Sequence, residues 1–247
     1  MLAIDIGNTT IALGVVVNGK VVESLRIDTT KDTDRLKPVI IKQVNYLLNK
    51  GYECKRVVIC SVVPKNTRLV ERLIKESLNI KVQVVGRDLP VPMKNHYKNP
   101  SQVGQDRLVG AYAALKLYGK PLIVVDLGTA ITFDAVSKKG EYLGGAIVPG
   151  IRLSAESLFL KTALLPEIDI KAPKNPIGRT TQDSILSGLF YGYGVLCKGF
   201  IDLLGVQMKA KPKVVMTGGH TQLMKKFVSP KIRIIDEDLV FKGMALL

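Results

Sequence analysis

The chain has no tryptophan, two histidines and three cysteines among its 247 residues, and aromatic residues make up only 6% of it. Two histidines, His96 and His220, are too few for a histidine-cysteine zinc site or a histidine-based nucleophilic relay. Cys54, Cys60 and Cys197 are odd in number and lack close pairing, which fits a reducing compartment and three small buried side chains rather than a disulfide framework. No unbroken apolar run reaches the ~18 residues of a membrane span, so none is expected. The first residues run straight into a strand pattern without a basic segment and apolar stretch, so no secretory leader is expected. Dense basic runs are missing too. The net charge is +15, yet the longest clusters are pairs such as Lys138-Lys139 and Lys225-Lys226, short of the about five to eight residues of a nucleic-acid patch. Aromatic residues do not alternate with the basic ones as a base-stacking platform requires. Scattered lysines read as a solvated surface, and no nucleic-acid partner is expected.

What the chain does contain is one acidic turn motif written twice. Asp5-Ile6-Gly7-Asn8-Thr9-Thr10 follows the apolar run Leu2 to Ile4, and Asp126-Leu127-Gly128-Thr129-Ala130-Ile131-Thr132 follows Leu122 to Val125. Asp5 and Asp126 lie 121 positions apart (126 − 5), and the same offset carries Gly7 onto Gly128 and Gly19 onto Gly140. Strand, Asp-x-Gly turn, strand, glycine turn and strand therefore recur in one order, as a duplicated unit would produce.

The periodicity of the remaining chain supports this. Residues 2–7, 11–17 and 20–27 read as strands, the last two joined by the Asn18-Gly19 hairpin signal. A helix over 33–50, a strand over 56–61, a helix over 66–78 and a strand over 80–85 complete a β-β-β-α-β-α-β unit. Prolines at 90, 92 and 100 make 86–103 irregular. A helix over 104–118 opens the second half, which repeats the order: strands near 122–126, 130–136 and 141–148, a helix from 150, a long helix from 182 to 205, a strand at 213–217, a helix at 219–228, a strand at 232–235 and a last helix from 238. Residues 161–181 read as a proline-rich excursion. With 47% hydrophobic residues the chain can bury two cores, assigned to 1–114 and 115–247.

Several motifs carry chemistry. A tight turn after a strand leaves backbone N–H groups free to face an anion, and glycine at its centre lets a phosphate approach. Asp5 at a strand end can hold Mg²⁺ directly or through water. Such a turn can also be an ordinary hairpin with Asn and Thr in their usual places; its recurrence argues for the phosphate reading. Gly104-Gln105-Asp106-Arg107 precedes an apolar helix. Asp106 there either complements the helix dipole or serves as general base for a hydroxyl, with Arg107 holding an anionic group. Gly144-Gly145 to Pro149-Gly150, and Thr217-Gly218-Gly219-His220, are strand-to-helix junctions open to close approach; the second could cradle an adenine or ribose. Ser184, Gly188 and Gly192, with Gly199 further on, mark one face of the long helix for close packing, within the chain or against a second copy.

Taken in order, Asp5-Ile6-Gly7-Asn8-Thr9, Tyr97-x-Asn99-Pro100, Gly104-x-Asp106-Arg107, Asp126-x-Gly128-Thr129-Ala130-x-Thr132, Gly144-Gly145-x-Ile147-x-Pro149-Gly150, and Thr181 with Ser187-Gly188 resemble the type III pantothenate kinases across essentially the whole chain. The resemblance implies an α/β fold of duplicated ribonuclease-H-like (actin-like ATPase) domains, each a mixed five-stranded sheet with helices, around an interdomain cleft. It implies ATP-dependent phosphorylation of pantothenate, the first step of coenzyme A synthesis, in a cytoplasmic homodimer. By the same resemblance Asp106 is the proton acceptor, and Asp5, Ile6, Gly7, Asn8, Thr9, Thr10, Ile11, Ala12 and Thr129 contact ATP. Asp126 holds a monovalent cation, K⁺ or NH₄⁺, beside Mg²⁺. Tyr97, Gly104, Gln105, Asp106, Arg107 and Thr181 meet pantothenate. Gln105 and Thr180 depart from the family's usual residues and bear on the shape of the pocket. Two other readings share these motifs: a kinase or phosphatase of the same superfamily with another acceptor, and a DNA-associated regulator without catalysis, which would not need Asp5, Asp106 and Asp126.

Overall fold

The computed structural model describes residues 1–30, 32–78, 80–229 and 232–247. Two compact units divide the chain: Met1–Leu117 together with Asp238–Leu247, and Tyr118–Glu237. The first unit is built on β1 (Leu2–Ile6), β2 (Thr10–Val17), β3 (Lys20–Asp28), β4 (Val57–Ser61) and β5 (Val82–Val84), in the order β3-β2-β1-β4-β5. The second is built on β6 (Leu122–Leu127), β7 (Ala130–Val136), β8 (Tyr142–Pro149), β9 (Lys213–Thr217) and β10 (Ile234–Ile235), in the order β10-β9-β6-β7-β8. Read from the hairpin side, the two sheets have one topology: an antiparallel three-strand meander whose first strand pairs in parallel with a fourth, which pairs in parallel with a fifth. Even the irregularities correspond, with a register shift at Val15/Val16 in one hairpin and at Ala135/Val136 in the other.

Residue type explains each element. β1 and β4 are central and parallel, so both faces are covered and they read as unbroken apolar runs. β3 is an edge strand with alternating exposure. Asn18 and Gly19, with φ of 49° and 74°, make the left-handed turn that suits a two-residue hairpin. One face of the first sheet is covered by α1 (Thr33–Asn49), through Leu36, Ile40, Val44 and Leu47, and by α2 (Pro64–Leu78), through Leu69, Val70, Leu73 and Ile74. Val39, which the periodicity places with the core set of α1, is exposed. The opposite face carries Ala3, Ala12, Val58 and Cys60, packed with Val109 of α3 (Gln105–Tyr118) and with Phe241 and Met244 of α8 (Leu239–Ala245).

That last helix lies with the first unit, whereas the sequence-based boundaries of 1–114 and 115–247 put it in the second. The cause is a pair of glycines. Gly14 leaves the space in which the Phe241 ring sits, since a Cβ there would fall 2.8 Å from the ring, and Gly243 brings α8 against the backbone of Val109. In the second unit α4 (Ile151–Lys161), α5 (Thr181–Ser187), α6 (Tyr193–Gln207) and α7 (Thr221–Val228) cover the sheet around Phe133, Phe190, Met216 and Met224. A π-helical turn, Gly188–Gly192, joins α5 to α6. The run Thr181–Gln207 is thereby 27 residues long, with a mean hydropathy of 1.4 in its most apolar window, enough by length and composition to cross a membrane. Counting unbroken apolar runs misses it because Lys198 and Asp202 interrupt the pattern. Leu186, Leu189, Phe190 and Cys197 seat it on the sheet of its own unit.

An ion-pair network closes the first unit beyond β5. Arg87 makes two parallel hydrogen bonds to Glu71 of α2, at 2.9 and 2.8 Å, and a third to Asp88 at 2.7 Å, while Asp88 accepts from the Val84 N–H. The hydrogen bonds from Arg87 hold the Glu71 carboxyl down at about 2, against an ordinary 4.5. A depressed carboxyl stabilises the fold fully above 4.5 and loses that contribution as pH falls toward about 2. Arg87→Ala should cost about 0.5–1 kcal/mol near neutral pH, screening included, and the difference from wild type should vanish in acid. Urea unfolding at several pH values reads both.

Candidate active site

Both Asp-x-Gly turns stand at the same place in their sheets, between the first two strands. In the first, Asp5 on β1 lies opposite Ala12 on β2 and beside Cys60 on β4. The Gly7 N–H reaches the Thr10 carbonyl at 2.9 Å, and a Cβ on Gly7 would press on that carbonyl at 3.1 Å. Asn8 and Thr9 are exposed at the tip. Ile6, Ile11 and Ala12 have their side chains in the core, so at these positions only the backbone is available to a ligand. Thr29, at the end of β3, braces the turn from outside: its hydroxyl donates to the Gly7 carbonyl at 2.9 Å and its N–H to the Thr9 carbonyl at 2.7 Å. Sequence patterns gave no sign of Thr29, whose role depends on the β2–β3 register.

Asp106 occupies the first turn of α3 in the same unit. Its carboxylate lies against Gly104, where a Cβ would fall 2.4 Å from Oδ1, and it accepts from the Arg107 N–H at 2.8 Å. Burial pushes its carboxyl above the ordinary range, and hydrogen bonding to the Arg107 backbone opposes this in part. Cys60 shows how near the acidic groups are. Burial raises its thiol first, and the negative charges of Asp5 and Asp106 raise it further, so the three side chains share one neighbourhood. Cys60, read from the sequence as a small buried residue, is fully buried, and it also lies near two carboxylates. Arg107 is half-buried beside Asp106. The amide of Gln105 turns onto Gly86, whose φ of 82° and lack of a side chain make the space for it. Tyr97 is half-buried in the irregular segment, its N–H held by the Asn95 side chain at 2.9 Å.

The second turn belongs to the other unit and is built more tightly. Asp126 on β6 is flanked by Thr132 on β7 and Thr217 on β9. The Gly128 N–H donates to the Ala130 carbonyl at 3.1 Å, repeating the bond at Gly7. Two junctions converge on it, β8 to α4 at Gly150 and β9 to α7 at Gly218 and His220. Gly150 donates to the Thr129 carbonyl at 2.9 Å and has no room for a Cβ. The His220 N–H donates to the Leu127 carbonyl at 2.9 Å. Gly218, with φ of 95°, lies where a Cβ would meet Asp126 Oδ1 at 2.2 Å. His220 is the residue before α7, the helix-start position expected for it; burial lowers its pKa, opposed by a hydrogen bond with the Gly128 backbone. Thr129 is exposed. Thr181 stands exposed at the start of α5, and Thr180 caps that helix by accepting from the Asp183 N–H at 3.1 Å. This is the structural use of one of the two departures from the family pattern.

The groups around Asp5 and Asp126 are oxygen donors, carboxylate, hydroxyl and carbonyl, which suit hard cations such as Mg²⁺ and K⁺. Among the described residues no group of three or more His, Cys, Asp or Glu is placed to hold a metal ion, so a cation there would also draw on backbone, hydroxyl, water or substrate oxygens.

The family model of type III pantothenate kinase matches residues 1–203. The chain belongs to the type III pantothenate kinase family. A type III pantothenate kinase of Persephonella marina is 47% identical over 228 residues, covering 92% of this chain and 89% of the relative. That of Citrifermentans bemidjiense is 38% identical over 259 residues, covering 100% and 98%. Solved structures extend the likeness in fold alone. A Campylobacter jejuni protein described within a Baf family of transcriptional activators matches with a TM-score of 0.61 at 20% identity, covering 100% of this chain and 96% of that one. A ROK family glucokinase of Streptomyces griseus, solved with glucose and AMPPNP, matches with a TM-score of 0.55 at 13% identity, covering 99% and 98%. The family member described here thus has the actin-like, sugar-kinase type of fold, a duplicated ribonuclease-H-like unit.

Proposed function

We propose that this chain transfers the γ-phosphoryl group of ATP to the primary hydroxyl of pantothenate, giving 4'-phosphopantothenate, the first step of coenzyme A synthesis. The observation that carries the reading is Asp106: a half-buried carboxylate with a raised pKa at the start of α3, beside Arg107 and in one neighbourhood with Asp5. As the bond from the γ-phosphorus to its leaving oxygen breaks and the bond to the substrate oxygen forms, the hydroxyl proton passes to Asp106. A carboxylate made more basic by burial suits that task. Arg107, with Tyr97 and Thr181, takes the acceptor, its guanidinium matched to the pantothenate carboxylate; Gly104 and Gln105 shape the approach. Asp5 to Ala12 and Thr129 contact ATP, with Ile6, Ile11 and Ala12 acting through their backbone.

Asp5 would hold Mg²⁺, directly or through water, and Asp126 a monovalent cation, K⁺ or NH₄⁺. Bound there, the cations would offset charge on the transferring phosphoryl group. Most of the acceleration would come from positioning and fixed charge. The reading includes a cytoplasmic homodimer. Gly188, Gly192 and Gly199 have nothing within 4 Å of an added Cβ, and Val195 and Val206 of α6 are 73% and 78% exposed. A second copy would cover this face, as sedimentation velocity would read directly. ADP release is expected to need both pantothenate and K⁺. Release without pantothenate dependence would contradict the reaction, and release indifferent to K⁺ would remove the cation from Asp126.

A further inference from the structure

Asp134 is 2% exposed and makes no part of the site as described so far. It lies on β7 two residues after Thr132, so the two side chains share one face of the sheet. That face is also the face of Asp126, since Thr132 is directly opposite it in the β6–β7 register. The Tyr142 hydroxyl donates to Asp134 Oδ1 at 2.6 Å, and the Thr132 hydroxyl to Oδ2 at 3.1 Å. A hydroxyl-to-oxygen distance of 2.6 Å is in the range of a charge-assisted bond to a carboxylate.

A threonine hydroxyl has one proton and two lone pairs. Thr132 commits its proton to Asp134, so toward anything else its oxygen is an acceptor. An acceptor cannot donate to a phosphate oxygen, but it can bind a cation. From this arrangement we propose that Thr132 Oγ is a ligand of the monovalent cation at Asp126, and that Asp134, held by Tyr142, is the positioning residue that fixes its polarity. The inference rests on the assignment of a monovalent cation to Asp126. It gives the second turn's Thr132 a duty different from that of the exposed donors Asn8 and Thr9 in the first.

The test uses the full chain with ATP and Mg²⁺, without pantothenate, and follows the melting temperature as KCl replaces choline chloride at constant ionic strength. Wild type should rise with K⁺. Thr132→Val keeps the shape and removes the oxygen, and its half-saturating K⁺ should increase at least about tenfold. Thr132→Ser should stay near wild type. Asp134→Asn, which can present a donor to Thr132, should shift the K⁺ midpoint by about tenfold while the KM for ATP at saturating K⁺ stays close to wild type. A Thr132→Val protein that titrates like wild type overturns the proposal. If Asp134→Asn does not fold, the two Thr132 variants decide. A wild type indifferent to K⁺ overturns the cation reading itself, and is distinguished from the failure of Thr132 alone.

Discussion

Asp106→Asn is expected to lower turnover by about 10²–10⁴-fold with ATP binding nearly intact. Asparagine keeps the size of the side chain and its bond from the Arg107 N–H, which in the native protein spans 2.8 Å, and it loses the ability to accept a proton. The loss therefore belongs in kcat rather than in the affinity for nucleotide. The pH profile supplies a second reading. Because burial raises the Asp106 carboxyl, kcat/KM in the wild type should fall on the acid side with a midpoint above that of an ordinary carboxylate. Steady-state kinetics with an ATP titration by calorimetry separates the parts, and near-normal turnover in the variant would remove Asp106 as proton acceptor. Cys60→Ala, in the same neighbourhood, should leave the reaction standing, since its thiol is held protonated by burial and by the two acidic neighbours.

Gly218→Ala is expected to damage the second unit severely. The backbone there has φ of 95°, which alanine adopts only at a cost of about 1–2 kcal/mol. The new methyl would lie 2.2 Å from Asp126 Oδ1 and 2.6 Å from the Leu127 nitrogen. The Leu127 backbone cannot retreat, because it is held in the sheet and its carbonyl already accepts from His220. Overpacking adds about 1–3 kcal/mol, and the carboxylate must leave its place. Activity should be lost together with roughly 2–5 kcal/mol of stability. Gly219→Ala is the control: nothing lies within 4 Å of its added Cβ, and stability should stay within about 0.5 kcal/mol of wild type. Equal melting temperatures for the two variants would contradict the packing described around Asp126.

How legible all this was in the sequence depends on how local the cause is. The Asn18-Gly19 turn, the Asp-x-Gly repeats and the 121-residue offset are local or periodic features, and the two matching sheet orders follow from them. The destination of the last helix is not local. Leu239, Phe241 and Met244 show only that residues 239–245 have an apolar side; that the side fits the first unit depends on the gap at Gly14. The long apolar helix was visible, but its π-helical turn was not, because a helix pattern of period 3.6 carries no mark of one inserted residue. In the site, Asp5, Asp106 and Asp126 announce themselves through their motifs. Thr29 and Asp134 do not, and the Gly218 junction, though visible as a motif, gives no sign of its contact with Asp126, since each acts on a residue brought to it by strand register or by a junction from elsewhere in the chain.

The central claim is the acceptor. Incubating the protein with ATP, Mg²⁺, K⁺ and pantothenate and identifying the product by mass spectrometry and ³¹P NMR tests it most directly. The account predicts one phosphate monoester on the primary hydroxyl of pantothenate, formed in step with ADP and missing with Asp106→Asn. ADP formed without any phosphorylated pantothenate, or a phosphate ester on a different acceptor only, would contradict it.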